Sequence, residues 1–272
     1  MVANIFDIKG KVIVVTGGLG QLGRNYSLAL LESGAKVVVL DKYVTDSLVN
    51  SAFGAQANDE SLLFLEADVT DRKSLAEAEC QIYEAWGAPF GLVNNAALDS
   101  PPGAPREENG PFETYPEESF DKVMEVNSKG VFLCCQVFGT RMASEGRGSI
   151  INISSTYGIL SPDQTIYDYR RSGQEMFYKP VAYSVSKSSL MNLTRYLATY
   201  WAPQNVRVNT LTLAGVYNGQ DERFLENYQK RVPLGRMAKE DEYSGAVIFL
   251  MSEASSYMTG SNMVIDGGWT AW

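Results

Sequence analysis

The segment Tyr183-Ser184-Val185-Ser186-Lys187 sets a phenol and an ammonium four residues apart. On a helix such a pair shares one face, a turn from each other. An unperturbed tyrosine, with a pKa of about 10, is a poor base at neutral pH. A cation a few ångströms away favours the phenolate and brings it within reach of proton exchange during a reaction. Spacing alone says little, since a solvated lysine beside a half-buried tyrosine reads the same way. The pair needs partners, and the elements that would position them.

Composition narrows the field first. The chain has 272 residues, 45% hydrophobic and 20% charged, as expected of a globular protein with a substantial core. A net charge of −9 argues against a nucleic-acid surface, which needs a basic face. No basic-then-apolar leader opens the chain and no apolar run has the length to span a bilayer, so a cytoplasmic protein with no membrane partner is expected. Cys80, Cys134 and Cys135 offer neither a disulfide framework nor metal-ligand spacing. Histidine is absent, which removes Ser-His-Asp and Cys-His catalysis and the usual zinc sites; no metal ligands are expected.

Short β-branched runs at Lys11–Thr16, Lys36–Leu40, Leu62–Glu66, Gly91–Asn94, Ser149–Ile153, Arg207–Leu213 and Asn262–Ile265 read as strands. Several are apolar nearly throughout, as when helices cover both faces of a sheet. Helical patterns fall at Leu22–Ser33, Asp71–Trp86, Glu117–Ser144, Tyr183–Trp201 and Glu240–Ser252. The alternation predicts an α/β fold, a doubly wound parallel sheet of about seven strands, in one domain spanning 1–272. Two stretches break the rhythm: Leu98–Gly110, rich in Pro, Gly and charge, and Thr156–Pro180, with four tyrosines and two arginines. Both follow strand carboxyl ends, the edge where such sheets bind ligands. The second is read as a substrate loop over 156–182.

The first strand runs into Thr16-Gly17-Gly18-Leu19-Gly20-Gln21-Leu22-Gly23 and then a helix. Gly18, Gly20 and Gly23 satisfy G-x-G-x-x-G in its strand–turn–helix setting, where small residues let the backbone approach a pyrophosphate at the helix N-terminus. Asp41 ends the second strand, where a carboxylate can accept from the adenosine ribose hydroxyls. Its charge would repel a 2′-phosphate, so NAD(H) is preferred, with NADP(H) as the alternative because Lys42 could offset that repulsion.

With these features together, the chain resembles the short-chain dehydrogenase/reductase family over nearly its whole length. The residues carrying the likeness are the glycine turn, Asp68-Val69, Asn94-Asn95-Ala96-Ala97, Asn127 in Val-Asn-Ser-Lys-Gly, Ser155, Tyr183, Lys187, and the stretch from Arg231 to Gly268. The resemblance implies a catalytic set of Asn127, Ser155, Tyr183 and Lys187. Tyr183 would exchange a proton with the substrate oxygen, Ser155 would orient that oxygen, and Lys187 would lower the phenol's pKa and hold the nicotinamide ribose. Asn127 would position a water leading to Lys187, or else serve a helix bend. It also implies cofactor contacts from Gly17, Gly20, Gln21, Leu22, Asp41, Asp68, Val69, Asn95, Ala96, Ala97, Tyr183, Lys187 and Val216. Asp68 reads equally as a helix cap, and Ser154 competes with Ser155.

Departures from the family pattern sit at Gln21, Ala97, Leu213-Ala214 and Asn218; Gln21 could add a side-chain contact to the phosphates. Ser155 and Tyr183 lie 28 positions apart, beyond the family's common spacing. Tyr167, Tyr169, Arg170, Arg171, Tyr178 and Lys179 in that excess read either as a cap over a small anionic or polyhydroxylated substrate, such as a sugar, sugar acid or nucleotide-linked sugar, or as a loop whose Arg170 and Arg171 are solvated or pair with another subunit. The reading is an NAD(P)-dependent secondary alcohol/ketone oxidoreductase. Its alternative is a non-catalytic dinucleotide-binding sensor or assembly protein. The apolar Met263–Trp272 stretch is expected in the core or at a subunit interface, and a homodimer or homotetramer is expected.

Overall fold

The computed structural model describes residues 4–100, 103, 105–171 and 176–272. Parts of both expected loops, at 101–102, 104 and 172–175, lie outside the described residues. Seven strands, β1 (Val12–Thr16), β2 (Lys36–Asp41), β3 (Leu62–Glu66), β4 (Gly91–Asn94), β5 (Gly148–Ser155), β6 (Val206–Leu213) and β7 (Asn262–Ile265), pair in parallel in the order β3-β2-β1-β4-β5-β6-β7. Chain order reverses between β1 and β4, which opens a crevice at their carboxyl ends.

The apolar strand runs have a direct cause in two-sided burial. Val12 and Val14 face one core with Val38 and Leu40, while Ile13 and Val15 face the other with Val37 and Val39. Helices α1 (Gln21–Glu32), α2 (Asp46–Phe53) and α9 (Ser244–Met251) cover the second face through Tyr26, Leu30, Phe53, Val247 and Leu250. The first is covered by α3 (Arg72–Trp86), by α7 (Val181–Trp201), and by the helical run between them. That run, α4 (Glu117–Met124), α5 (Val131–Cys134) and α6 (Thr140–Ser144), is continuous as expected, but it widens into π-turns at Glu125–Gly130 and Cys135–Gly139. Two short helices were not anticipated. One is α2, whose Thr45 Oγ1 caps Leu48 N at 3.3 Å; the other is α8 (Glu222–Gln229), capped by Asp221 on Arg223 N at 2.9 Å. In both, a capping residue was the available signal. The last expected helix is shorter than Glu240–Ser252, because residues before Ser244 form turns. Among the described residues, no helix is long and apolar enough to cross a membrane.

A buried polar chain stitches the centre. Asn94 Nδ2 donates to Asn152 Oδ1 (2.9 Å), Asn152 Nδ2 to Thr194 Oγ1 (2.9 Å), and Thr210 Oγ1 to Thr194 Oγ1 (2.8 Å), joining β4, β5, β6 and α7. Such a network adds directional constraint to a core that is otherwise apolar and tolerant of sliding.

At the second π-turn the backbone lies hard against α7. A Cβ on Gly139 would stand 2.4 Å from the Trp201 ring and 3.2 Å from Ile150. Gly139→Ala is therefore expected to destabilise the fold by about 1–3 kcal/mol through overpacking, read as a lower urea midpoint at unchanged slope. An unaltered midpoint would show that the helix can move away freely.

Candidate active site

The crevice is built around the turn between β1 and α1. Gly17 has φ +62°, and a Cβ there would meet Ala96 Cα at 2.8 Å; one on Gly23 would meet the Gly17 carbonyl oxygen at 2.1 Å. Asn95 locks the turn, its Nδ2 donating to the carbonyls of Thr16 (3.0 Å) and Gly17 (3.1 Å). The start of α1 has no side-chain cap at Gly20 and no acidic residue in its first turn, which leaves backbone donors for an anion. At the end of β2, Asp41 accepts from Leu19 N (3.0 Å) and Lys42 N (2.8 Å). A cavity of about 490 Å³ is lined by every cofactor candidate from Gly17 to Ala97. The glycine cradle, the open helix terminus and Asp41 together fit a dinucleotide.

Two side chains there differ from expectation. Asp68 is not a helix cap, since Asp71 caps α3 through Lys73 N (2.8 Å). Asp68 instead accepts from Thr70 and pairs with the Lys42 ammonium at 2.7 Å. Gln21 Nε2 donates to the Tyr217 carbonyl (3.1 Å), tying the glycine turn to the segment after β6. Val216 lies on that segment, its carbonyl accepting from Gln220 Nε2 (3.0 Å).

At the other end of the crevice, Ser155 closes β5 and Tyr183 lies in the first turn of α7. Lys187, 3% exposed, donates from Nζ to the Ile153 carbonyl at 2.9 Å. Ser154 Oγ donates to the Lys187 carbonyl (3.0 Å), so its hydroxyl is committed to α7. The Ser155 hydroxyl accepts from Tyr157 N at 3.2 Å and shares a cavity lining with Tyr183. Ser155, Tyr183, Lys187 and Val216 share a cavity of about 580 Å³. Gln21, Leu22, Asn95 and Ala97 line both cavities, making one continuous cleft.

Electrostatics correct one expectation. Burial, with Asp99 adding to it, pushes the Tyr183 phenol above its ordinary value, against the Ser155 hydrogen bond. Burial also pulls the Lys187 ammonium down to about 8, with Asp99 opposing. Its Nζ stands 5.8 Å from the Tyr183 ring centroid, and burial is the largest influence on the phenol. Asn127 is fully buried in the first π-turn. Its Oδ1 accepts from Leu98 N (2.7 Å), and its Nδ2 donates to Leu98 O (2.8 Å) and Ser186 Oγ (3.0 Å). The side chain thus fastens the loop after β4 to α7, and no direct contact with Lys187 is formed.

The tyrosine-rich loop packs rather than dangles. Tyr167, 8% exposed, lies against Phe177 and Phe224, and Tyr228 lies against a buried Trp269. Trp272, by contrast, is exposed, so the last apolar stretch only partly joins the core. Arg171 is consumed inside the loop by Phe177 O (2.8 Å), Gln164 O (2.8 Å) and Asp168. Arg170 lies over the Phe177 ring at 3.7 Å and lines the cleft. Lys179 also lines it, paired with Asp99. Asp99, Phe224 and Tyr228 escaped sequence reasoning as site residues; of these, Asp99 carried a signal in its position just after β4.

Residues 20–270 match the protein-family model described as Enoyl-(Acyl carrier protein) reductase. The chain is 32% identical to an NAD-dependent glycerol dehydrogenase of Listeria innocua, over 97% of this chain and 96% of the relative. It is also 32% identical to a ribulose-forming D-arabinitol 2-dehydrogenase of Scheffersomyces stipitis, over 98% and 96%. A short chain dehydrogenase from Leptospira borgpetersenii with bound NAD+ superposes with a TM-score of 0.85 at 31% identity, covering 99% of this chain and 97% of that one. A gluconate 5-dehydrogenase from Burkholderia cenocepacia, in complex with NADP and tartrate, does so with a TM-score of 0.84 at 25% identity, covering 98% of each. Fold, cleft and these likenesses agree: the chain belongs to the short-chain dehydrogenase/reductase family of NAD(P)-dependent oxidoreductases acting on CH–OH and C=O groups.

Proposed function

We propose that this protein interconverts a secondary alcohol and a ketone on a polyol or sugar-type substrate, with NAD(H) preferred over NADP(H), within one cofactor-binding domain. The observation that carries the reading is the convergence of Ser155, Tyr183 and Lys187 on one cleft continuous with the glycine turn. The relatives named for glycerol, arabinitol and gluconate support the substrate class. Support for NAD(H) comes from Asp41 at the ribose position and from Lys42, whose ammonium is engaged by Asp68 rather than free to offset a 2′-phosphate.

In this reading the bound nicotinamide accepts or gives the hydride. Ser155 donates to the substrate oxygen and fixes its direction. Tyr183 takes the hydroxyl proton during oxidation in its phenolate form, and gives its phenol proton to the substrate oxygen during reduction. Lys187 has three donors, of which Ile153 takes one, leaving others for a ribose hydroxyl and the phenol. Asn127 acts as a positioning residue, holding Leu98 and Ser186 around the site. The exposed, stacked Tyr196 and Tyr200 on α7 support a homodimer or homotetramer.

Absorbance at 340 nm, the reduced-nicotinamide band, followed over a panel of polyols, sugar acids and nucleotide sugars with each cofactor, tests the reading. Turnover with at least about tenfold higher kcat/KM for NAD+ is expected, and Tyr183→Phe should lose about two to four orders of magnitude in kcat while still binding NADH. Tight NADH binding with no turnover of any substrate would leave the non-catalytic alternative standing.

The charge of Asp99 holds both Tyr183 and Lys187 above where they would otherwise titrate. Neutralising it lets each lose its proton at lower pH. Asp99→Asn should accordingly move the pH profile of kcat for oxidation as a whole towards lower pH, and an unmoved profile would remove Asp99 from the electrostatics of the site.

A further inference from the structure

We propose that Asp99 and Lys179 form a two-sided clamp for a substrate hydroxyl near the reacting carbon, and that this clamp makes the enzyme selective for polyhydroxylated substrates. The inference deepens the polyol reading above and rests on it. Both carboxylate oxygens of Asp99 lie 2.5 Å from Lys179 Nζ. The pair lines the same cavity as Ser155 and Tyr183, and Lys179 Nζ stands 5.2 Å from the Tyr183 ring centroid. The pair thus stands near the phenol, as does Lys187, whose Nζ lies 5.8 Å from the same ring centroid.

Both partners are held rather than loosely tethered. Asp99 follows Leu98, whose N–H and carbonyl are both gripped by Asn127. Lys179 N donates to Gln164 Oε1 (2.9 Å), the adjacent Tyr178 N donates to the Asn109 carbonyl (2.7 Å), and Pro180 caps α7 directly after. The Lys179 side chain is only 14% exposed, while that of Asp99 is 60% exposed and open to the cleft. The two loops that break the αβ rhythm thus meet at this ion pair and at the Tyr178–Asn109 hydrogen bond.

The chemistry that fits such a pair is a hydroxyl. A carboxylate only accepts and an ammonium only donates, whereas a hydroxyl does both and can satisfy one with its hydrogen and the other with its oxygen. An alkyl group in the same place would strip water from both charges and return nothing. Tyr157, Tyr167 and Phe177 line the same cavity as the pair and give it an apolar wall. Sites built to bond a substrate hydroxyl reject analogues lacking it far better than apolar pockets reject an extra methylene.

The test compares kcat/KM for polyols of three to six carbons with that for analogues lacking the hydroxyl next to the carbinol, with NAD+ saturating. The wild-type protein should favour the polyols. In Asp99→Ala and in Lys179→Met that preference should fall at least about tenfold, chiefly through the polyol KM, and Lys179→Arg, which keeps a donor, should recover part of it. A purely structural role would slow both substrates alike and leave the ratio unmoved, so an unchanged ratio in both variants overturns the clamp. If the wild-type protein turns over polyols with no preference, the clamp fails while the polyol reading stands. If it turns over none, that reading fails and takes the clamp with it.

Discussion

A lysine ammonium buried to 3% exposure cannot stand without a partner, and in this protein Lys187 finds it in the carbonyl of Ile153, 2.9 Å away. Leaving such a cation unpaired in the interior would cost several kcal/mol, so the hydrogen bond fixes how α7 sits on the end of β5. Ser154 repeats the link in the other direction, from its hydroxyl to the carbonyl of Lys187. With helix and strand locked at that level, Tyr183 lies one turn earlier and must face Ser155. The placement of Tyr183 beside Ser155 is thus a consequence of satisfying a buried charge.

The other end of the cleft depends on backbone contact rather than charge. Gly17 against Ala96, and Gly23 against the Gly17 carbonyl, bring β1, α1 and β4 within van der Waals contact where side chains would hold them apart. Asn95 then spends its side chain on the turn itself, which explains how one asparagine on β4's end governs a phosphate-binding loop it does not belong to. Gln21 adds a tether to the segment after β6. Dinucleotide and reacting groups are in this way referred to one rigid frame, as catalysis by proximity requires.

Against that frame, the long insertion before α7 contributes an aromatic shell. Tyr167, Phe177, Phe224, Tyr228 and Trp269 pack on one another and leave a cleft wall that is apolar in body and polar at its tips. The charges singled out beforehand divide by environment. Arg171 is absorbed in holding the loop's own shape, whereas Arg170 and Lys179 reach the cavity.

Fold and chemistry were legible in the sequence wherever a local pattern had a single physical reading. Two-sided burial makes strand runs apolar throughout, the pyrophosphate turn needs glycine, and a phenol four residues before an ammonium on a helix must share its face. β1 to β7 and the turn at Gly17–Gly23 follow from such patterns, whereas the set of Ser155, Tyr183 and Lys187 came only from the resemblance to the short-chain dehydrogenase/reductase family. What tertiary structure alone decided was partnership between residues far apart in the chain. That Asn127 would grip Leu98 and Ser186, and whether Lys42 would be free or held by Asp68, depend on distances and burial. Asp99 is the plainest case. An aspartate in a Pro- and Gly-rich loop looks like a solvated charge until folding sets it against Lys179, 80 positions away, at the mouth of the site.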